Sequence, residues 1–249
     1  MASNMSAIGF VAKTADDFGR IQLQAAQNGE AVAVDHGREG YYIRWALGNG
    51  PEVWVQANAQ KEMVWLNPHF SGTTSLRMSL VSHIPRTAVP LDGSFYAIIN
   101  PDPDNLEKGL VDLVFDLPDD ALHRDLALPV VRQVQLAAFA QRLDAFDDEA
   151  AYMQAQEGGM AYAVESLVAS GLFVQPGELP EARVLLSGRV LAAQLLVNPA
   201  TGLLFHWARV KTLGGEVDVV ADPAVVHGVV RVGGVVSGAF WVSGRVLAD

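Results

Sequence analysis

The side chains most able to do chemistry in this chain include six histidines, His36, His69, His83, His123, His206 and His227, and no two of them stand two or four positions apart. Chelation of a metal by two histidines within one strand or one helical turn is therefore absent, although a site assembled from distant strands is open to His, Asp and Glu. His69 and His83 bracket a turn-rich stretch within reach of Glu52. These three are the first candidates for a metal-assisted or acid/base site. There is no cysteine, which removes thiolate ligands, a cysteine nucleophile and disulfides. Asp102, Asp104 and Glu107 imitate a calcium loop, but Glu107 sits where glycine is needed and Leu113 where glutamate is needed. Asp119-Asp120 and Asp147-Asp148 are adjacent acids at a turn and at a helix start, where solvated capping accounts for them. The phosphate-loop, G-x-G-x-x-G, H-E-x-x-H and G-x-S-x-G patterns are all missing, the last by one residue around Ser237. No metal or cofactor is expected on these grounds.

Aromatic side chains are the remaining lead. Trp45, Trp54, Trp65, Phe205, Trp207, Phe240 and Trp241 all fall on predicted strands. Alternation puts Phe205 and Trp207 on one face with His206 opposite, while Phe240 and Trp241 point opposite ways. Core packing is the ordinary use of such residues. Placed outside, Phe205, Trp207 and Trp241 would form a stacking or protein-docking platform, and they are the candidate binding residues.

The elements that must position these groups are mostly strands. Thr14 before Asp16 and Asp17, with Phe18, Ile21 and Ala25 at helical spacing and a stop at Asn28-Gly29, predicts a helix over 14–28. Ser6–Ala12 reads as a short strand, and Met1–Ser6 as a loose leader. Further strands are predicted at Ala31–Val34, Tyr41–Trp45, Glu52–Gln56, Glu62–Leu66, Leu76–His83, Phe95–Asn100 and Leu110–Leu117, with Asn67-Pro68 breaking the fourth. Val130–Phe146 fits a helix by propensity and a buried strand by alternation, and the strand is preferred because Asp147-Asp148-Glu149 starts a fresh helix. That helix runs to about Gln156 and stops at Gly158-Gly159. Beyond Gln175–Pro180 the chain is rich in Val and Gly, with strands at Arg183–Val197, Leu203–Lys211, Glu216–Ala221 and Val235–Val246. The repeat of Ser187–Ala192 as Ser243–Ala248 is either chance or a sign that the first and last of these strands pair. The fold class expected is α+β and strand-dominated, with an α+β region over 1–178 followed by a small β-barrel over 179–249.

Two resemblances rest on these elements. The order β-α-β-β-β from Ile8 to Leu66 resembles a vicinal oxygen chelate module. That likeness implies metal ligands on strands, for which only Glu52 has a counterpart. Strand spacing from Arg183 to Leu247 resembles an OB-like small barrel. As a whole the chain resembles an uncharacterised bacterial protein family, which implies no activity.

Half of the 249 residues are hydrophobic and only 18% are charged, so the chain can bury a sizeable core. Residues 1–179 carry 11 basic and 23 acidic side chains, against 6 and 5 in residues 180–249. An acidic surface repels phosphate backbones, which argues against nucleic acid. An exception would use Phe205, Trp207, Arg189, Arg209, Lys211 and Arg245 on the near-neutral C-terminal part. No apolar run approaches the roughly 18 residues of a membrane span, and the missing cysteines fit a reducing, cytoplasmic compartment. The function these features suggest is a non-catalytic binding or interaction protein with a protein partner or a second copy. The alternative is a metal-assisted or acid/base enzyme with its site among the N-terminal strands.

Overall fold

The computed structural model describes residues 3–34, 40–86, 89–157 and 161–247. Helix α1 (Ala15–Asn28) starts where the sequence places it. The Thr14 hydroxyl accepts from the Asp17 amide while the Asp17 carboxylate accepts from the Thr14 amide, so two otherwise orphaned donors are satisfied reciprocally. Strands β1 (Glu30–Val34), β2 (Gly40–Ala46), β3 (Pro51–Ala57) and β4 (Met63–Phe70) follow as an antiparallel meander. β4 runs through Asn67-Pro68 instead of ending there. It is an edge strand of this sheet, where a proline's missing N–H costs no ladder bond.

The segment read as a first strand, Ser6–Ala12, is instead a 3₁₀ turn over Ser6–Ile8 followed by irregular chain. Its carbonyls are claimed by side chains: Ile8 accepts from Asn198 Nδ2 at 2.7 Å and Gly9 from Thr201 Oγ1 at 2.6 Å. The described part of the expected leader is packed, with Met5 buried.

The larger sheet contains β5 (Leu76–Pro85), β6 (Gly93–Ile99), β7 (Val111–Leu117), β8 (Val130–Phe146), β9 (Ser166–Val168), β10 (Arg183–Val197), β11 (Leu204–Thr212), β12 (Gly215–Ala221), β13 (Val226–His227) and β14 (Val235–Val246). The long segment Val130–Phe146 is thus a strand. Asp148 caps the short helix α2 (Glu149–Gln154) through its hydrogen bond to the Ala151 amide, and the expected stop at Gly158-Gly159 lies outside the described residues. β8 and β14 pair antiparallel along the length of β14 and form the centre. From them one series of pairings runs through β5, β6 and β7, and another through β12, β11 and β10. β10 and β14 pair as the repeated hexapeptide suggested, although Ser187 stands opposite Ser237 rather than Ser243. Strand pairing crosses the expected division at 178/179, because β8 carries β12 and β14 from the far side of it.

The fold is therefore α+β and strand-dominated. Val134, Leu136, Ala138 and Ala140 of β8 face the main core, while Ala137 and Phe139 face a second core shared with α1 and the four-stranded sheet. β8 is buried on both faces because it lies between the two. Among the described residues no helix is long and apolar enough to cross a membrane.

Candidate functional site

Alternation along β3 sends Val53 and Val55 into the second core and leaves Glu52, Trp54 and Gln56 on the other face. Strand register sets His69 of β4 opposite Glu52 and Arg44 of β2 opposite Trp54. These side chains meet Gln135 of β8, Ser243 and Arg245 of β14, and the turn that holds Asp119 and Asp120. The result is a buried polar seam between the two sheets.

Each charge in the seam has a counterpart. Glu52, only 2% exposed, accepts from Arg44 Nη2 at 2.5 Å and from Trp54 Nε1 at 2.8 Å, with Arg245 Nη1 at 3.6 Å. Both guanidiniums lie over the Trp54 ring, that of Arg245 at 4.9 Å from its centroid. Burial pushes the Glu52 carboxyl up, but the bond from Arg44 and the neighbouring His69 and Trp54 hold it below its ordinary value. Asp119 has His123 Nε2 and Arg245 Nε each at 3.4 Å, within ion-pair reach though not aligned as hydrogen bonds. Burial opposes its charge, and His123 and Arg245 still keep its carboxyl low. Asp120 accepts from His83 Nε2 at 2.7 Å and Arg124 Nε at 3.1 Å. For this wholly buried carboxyl desolvation prevails and its pKa is raised.

His69 is wholly buried, with Nε2 2.9 Å from Gln135 Oε1 and Nδ1 2.9 Å from Ser243 Oγ. Gln135 Nε2 donates to Asp218 Oδ2, so its Oε1 is the atom facing His69. The imidazole must then donate from Nε2, and Ser243 donates to Nδ1. This arrangement fixes one neutral tautomer. Burial first, with Arg245 nearby, brings the pKa of His69 down to about 4.

The sequence candidates are thus partly assembled. Glu52 and His69 come together, whereas His83 joins Asp120 and lies edge-on against Phe95. Among the described residues no three of His, Asp and Glu converge in a way that could hold a metal ion. Gln135 and Asp218 were not singled out as site residues, Arg245 was named only for a nucleic-acid face, and Asp119 and Asp120 were read as solvated caps. A local signal existed for two of them: Asp119 and Asp120 stand four positions before His123 and Arg124, an i,i+4 charge pattern rather than a solvated turn. At the border of the seam Asp92 is half-buried and accepts from Asn67 Nδ2 at 2.8 Å. Burial, reinforced by Asp116 and Asp120, raises its carboxyl to about 6.

The aromatic candidates separate. Phe205, expected on a docking platform, is wholly buried and lies edge-on against Phe70 at 6.2 Å. Its strand parity is as predicted, but the four-stranded sheet covers that face. Trp241 is half-buried, packed against Phe139 at 4.9 Å, and donates to Asp116 Oδ2 at 2.6 Å. Trp207 is half-buried and stacks on Phe70, with an interplanar angle of 27°. Its Nε1 donates at 2.9 Å to Asp218, a wholly buried carboxylate that also accepts from Thr74 Oγ1 at 2.7 Å. Gly72 lies against that carboxylate so closely that a β-carbon there would stand 1.9 Å from Oδ2.

Trp207 and Phe70 line an open pocket of about 310 Å³, with Leu196 beside them. Asn49, Ser71, Thr73 and Gln194 also line it, and all four are exposed. Gly50 allows the turn to close over Phe70: its φ is 101°, and a β-carbon would stand 2.4 Å from the ring. No charged residue lines the pocket. Through Asp218 and Gln135 its tryptophan is hydrogen-bonded back to His69 and the seam.

In comparisons with protein-family models, curated proteins and solved structures, nothing matches the chain.

Proposed function

We propose that the chain is a non-catalytic binding protein of the cytoplasm, with Trp207 at the centre of its binding site. The observation that carries this reading is the pocket over Trp207 and Phe70: an anchored aromatic floor and neutral hydrogen-bonding residues, with no acid, base or charged group in its lining. The ionisable groups that do converge are buried between the sheets and paired in charge or hydrogen-bonded within the seam. A cysteine-free chain fits a reducing compartment. The circuit of pairings β10–β11–β12–β8–β14 supports reading the C-terminal part, completed by β8, as a small OB-like barrel that presents this pocket. The test is a small-molecule screen that follows the indole N–H resonance of Trp207. Ligands that shift it, and that lose affinity in Trp207→Ala, are expected. A broad screen that leaves the resonance in place refutes the reading.

A second reading, an acid/base enzyme, is favoured by Asp92. A half-buried carboxyl with a pKa of about 6 beside the seam of Glu52, His69 and His83 is suited to proton transfer near neutrality. This reading requires a turnover that is lost in Asp92→Asn, and a panel of hydrolase and isomerase substrates that are all left unchanged removes it.

A further inference from the structure

We infer that the pocket over Trp207 takes a neutral saccharide, an inference that rests on the binding reading above and names its ligand class. The argument starts from what the pocket lacks. With no cation among its lining residues and a formal charge of −11 on the chain, a phosphate, carboxylate or sulfate group finds neither a counterion nor a favourable field. A free cation finds no carboxylate in the lining, because Asp218 is buried beneath the indole and already accepts from Trp207, Thr74 and Gln135.

What the pocket offers is a flat aromatic surface edged by uncharged donors and acceptors. Among the described residues, the side chains of Asn49, Ser71, Thr73 and Gln194 form no hydrogen bond with the protein, so their full capacity faces outward. A purely apolar ligand would leave those groups without partners on binding, at a cost in desolvation. A pyranose ring suits both parts. Its axial C–H face lies on an indole through dispersion and weak C–H contacts, and its equatorial hydroxyls pair with amides and hydroxyls around the edge. The indole is also held in place before any ligand arrives, by its bond to Asp218 and its stacking on Phe70, so little ordering remains to oppose binding. An open site of about 310 Å³ leaves the ends of a sugar chain in solvent, as an oligosaccharide requires.

The experiment probes the purified full chain with an array of immobilised neutral gluco-, galacto-, manno- and N-acetylglucosamine oligomers, with sulfated and sialylated glycans as the anionic arm. Binding to one neutral series is expected, insensitive to salt and weakened about tenfold or more by Trp207→Ala, the loss typical of truncating a tryptophan anchor. Gln194→Ala, at an exposed residue without internal hydrogen bonds, is the companion variant should Trp207→Ala fail to fold, and it too should weaken binding. Preference for the anionic arm, or neutral-glycan binding that both variants leave intact, overturns the inference. If no glycan binds while other small molecules move the Trp207 indole resonance, the saccharide assignment fails and the binding site stands. If nothing moves that resonance, both fail.

Discussion

Replacing His69 with glutamine should change how stability depends on pH more than it changes stability at neutral pH. His69 is wholly buried and neutral, faced by Glu52 from β3, Arg245 and Ser243 from β14, Gln135 from β8 and Asp119 from the turn. In the fold its pKa falls from 6.5 to about 4. Between those values the unfolded chain holds a proton that the folded chain lacks. The contribution of neutral His69 is therefore complete above 6.5 and is lost as pH falls to about 4. A displacement of that size corresponds to about 3 kcal/mol. The wild-type curve alone should hide much of this, because Asp92 works in the opposite direction. Its carboxyl rises from 3.8 to about 6 in the fold, so acidification through that range favours the folded state. The informative quantity is the gap in unfolding free energy between wild type and His69→Gln, measured by urea denaturation across the range. Wild type should lose about 3 kcal/mol relative to the variant between pH 6.5 and pH 4. A gap that stays constant, or an NMR titration placing folded His69 near 6.5, refutes the reasoning.

Asp92→Asn should be more stable than wild type above pH about 6, by at most about 3 kcal/mol and less for the water that reaches its half-exposed carboxyl, with the advantage vanishing on acidification in the same denaturation series. Tyr42 is wholly buried, and its hydroxyl donates to the Leu91 carbonyl and accepts from the Ala121 amide. Tyr42→Phe leaves both groups unpaired and should cost about 1–3 kcal/mol, and an unchanged Tm counts against that tie. Gly72→Ala drives a methyl group into the Asp218 carboxylate, so it should cost about 1–3 kcal/mol and shift the indole N–H resonance of Trp207. A variant with the wild-type spectrum would mean that the loop yields without disturbing Asp218.

Much of the fold could be read locally, since the signals that set it are local. Thr14 and Asp17 form the expected cap, the Gly48–Pro51 turn links β2 to β3, and alternation located most strands within a few residues. Val130–Phe146 was ambiguous for a physical reason: Val134–Ala140 is buried on both faces and apolar at every position but Gln135, and that erases the period which separates strand from helix. Phe205 was weighed for a docking face for a different reason: nothing in β11 reveals that a second sheet covers it. The seam was hidden because its members are far apart in the chain. Glu52 meets Arg245, and His69 meets Gln135 and Ser243, only after two sheets pack together. Asp119 and Asp120 looked like turn acids because nothing before the packing step indicates that they end up out of water.

The central position of β14 also governs when the molecule can assemble during translation. β8 is complete at Phe146, yet β12 and β14, two of the strands it pairs with, follow only after about 70 further residues have been added. Until synthesis passes Val246, β8 and β10 each expose the edge that β14 occupies in the fold. Over that interval the unpaired edges are open to association with other chains, the hazard that any sheet completed by a late strand carries.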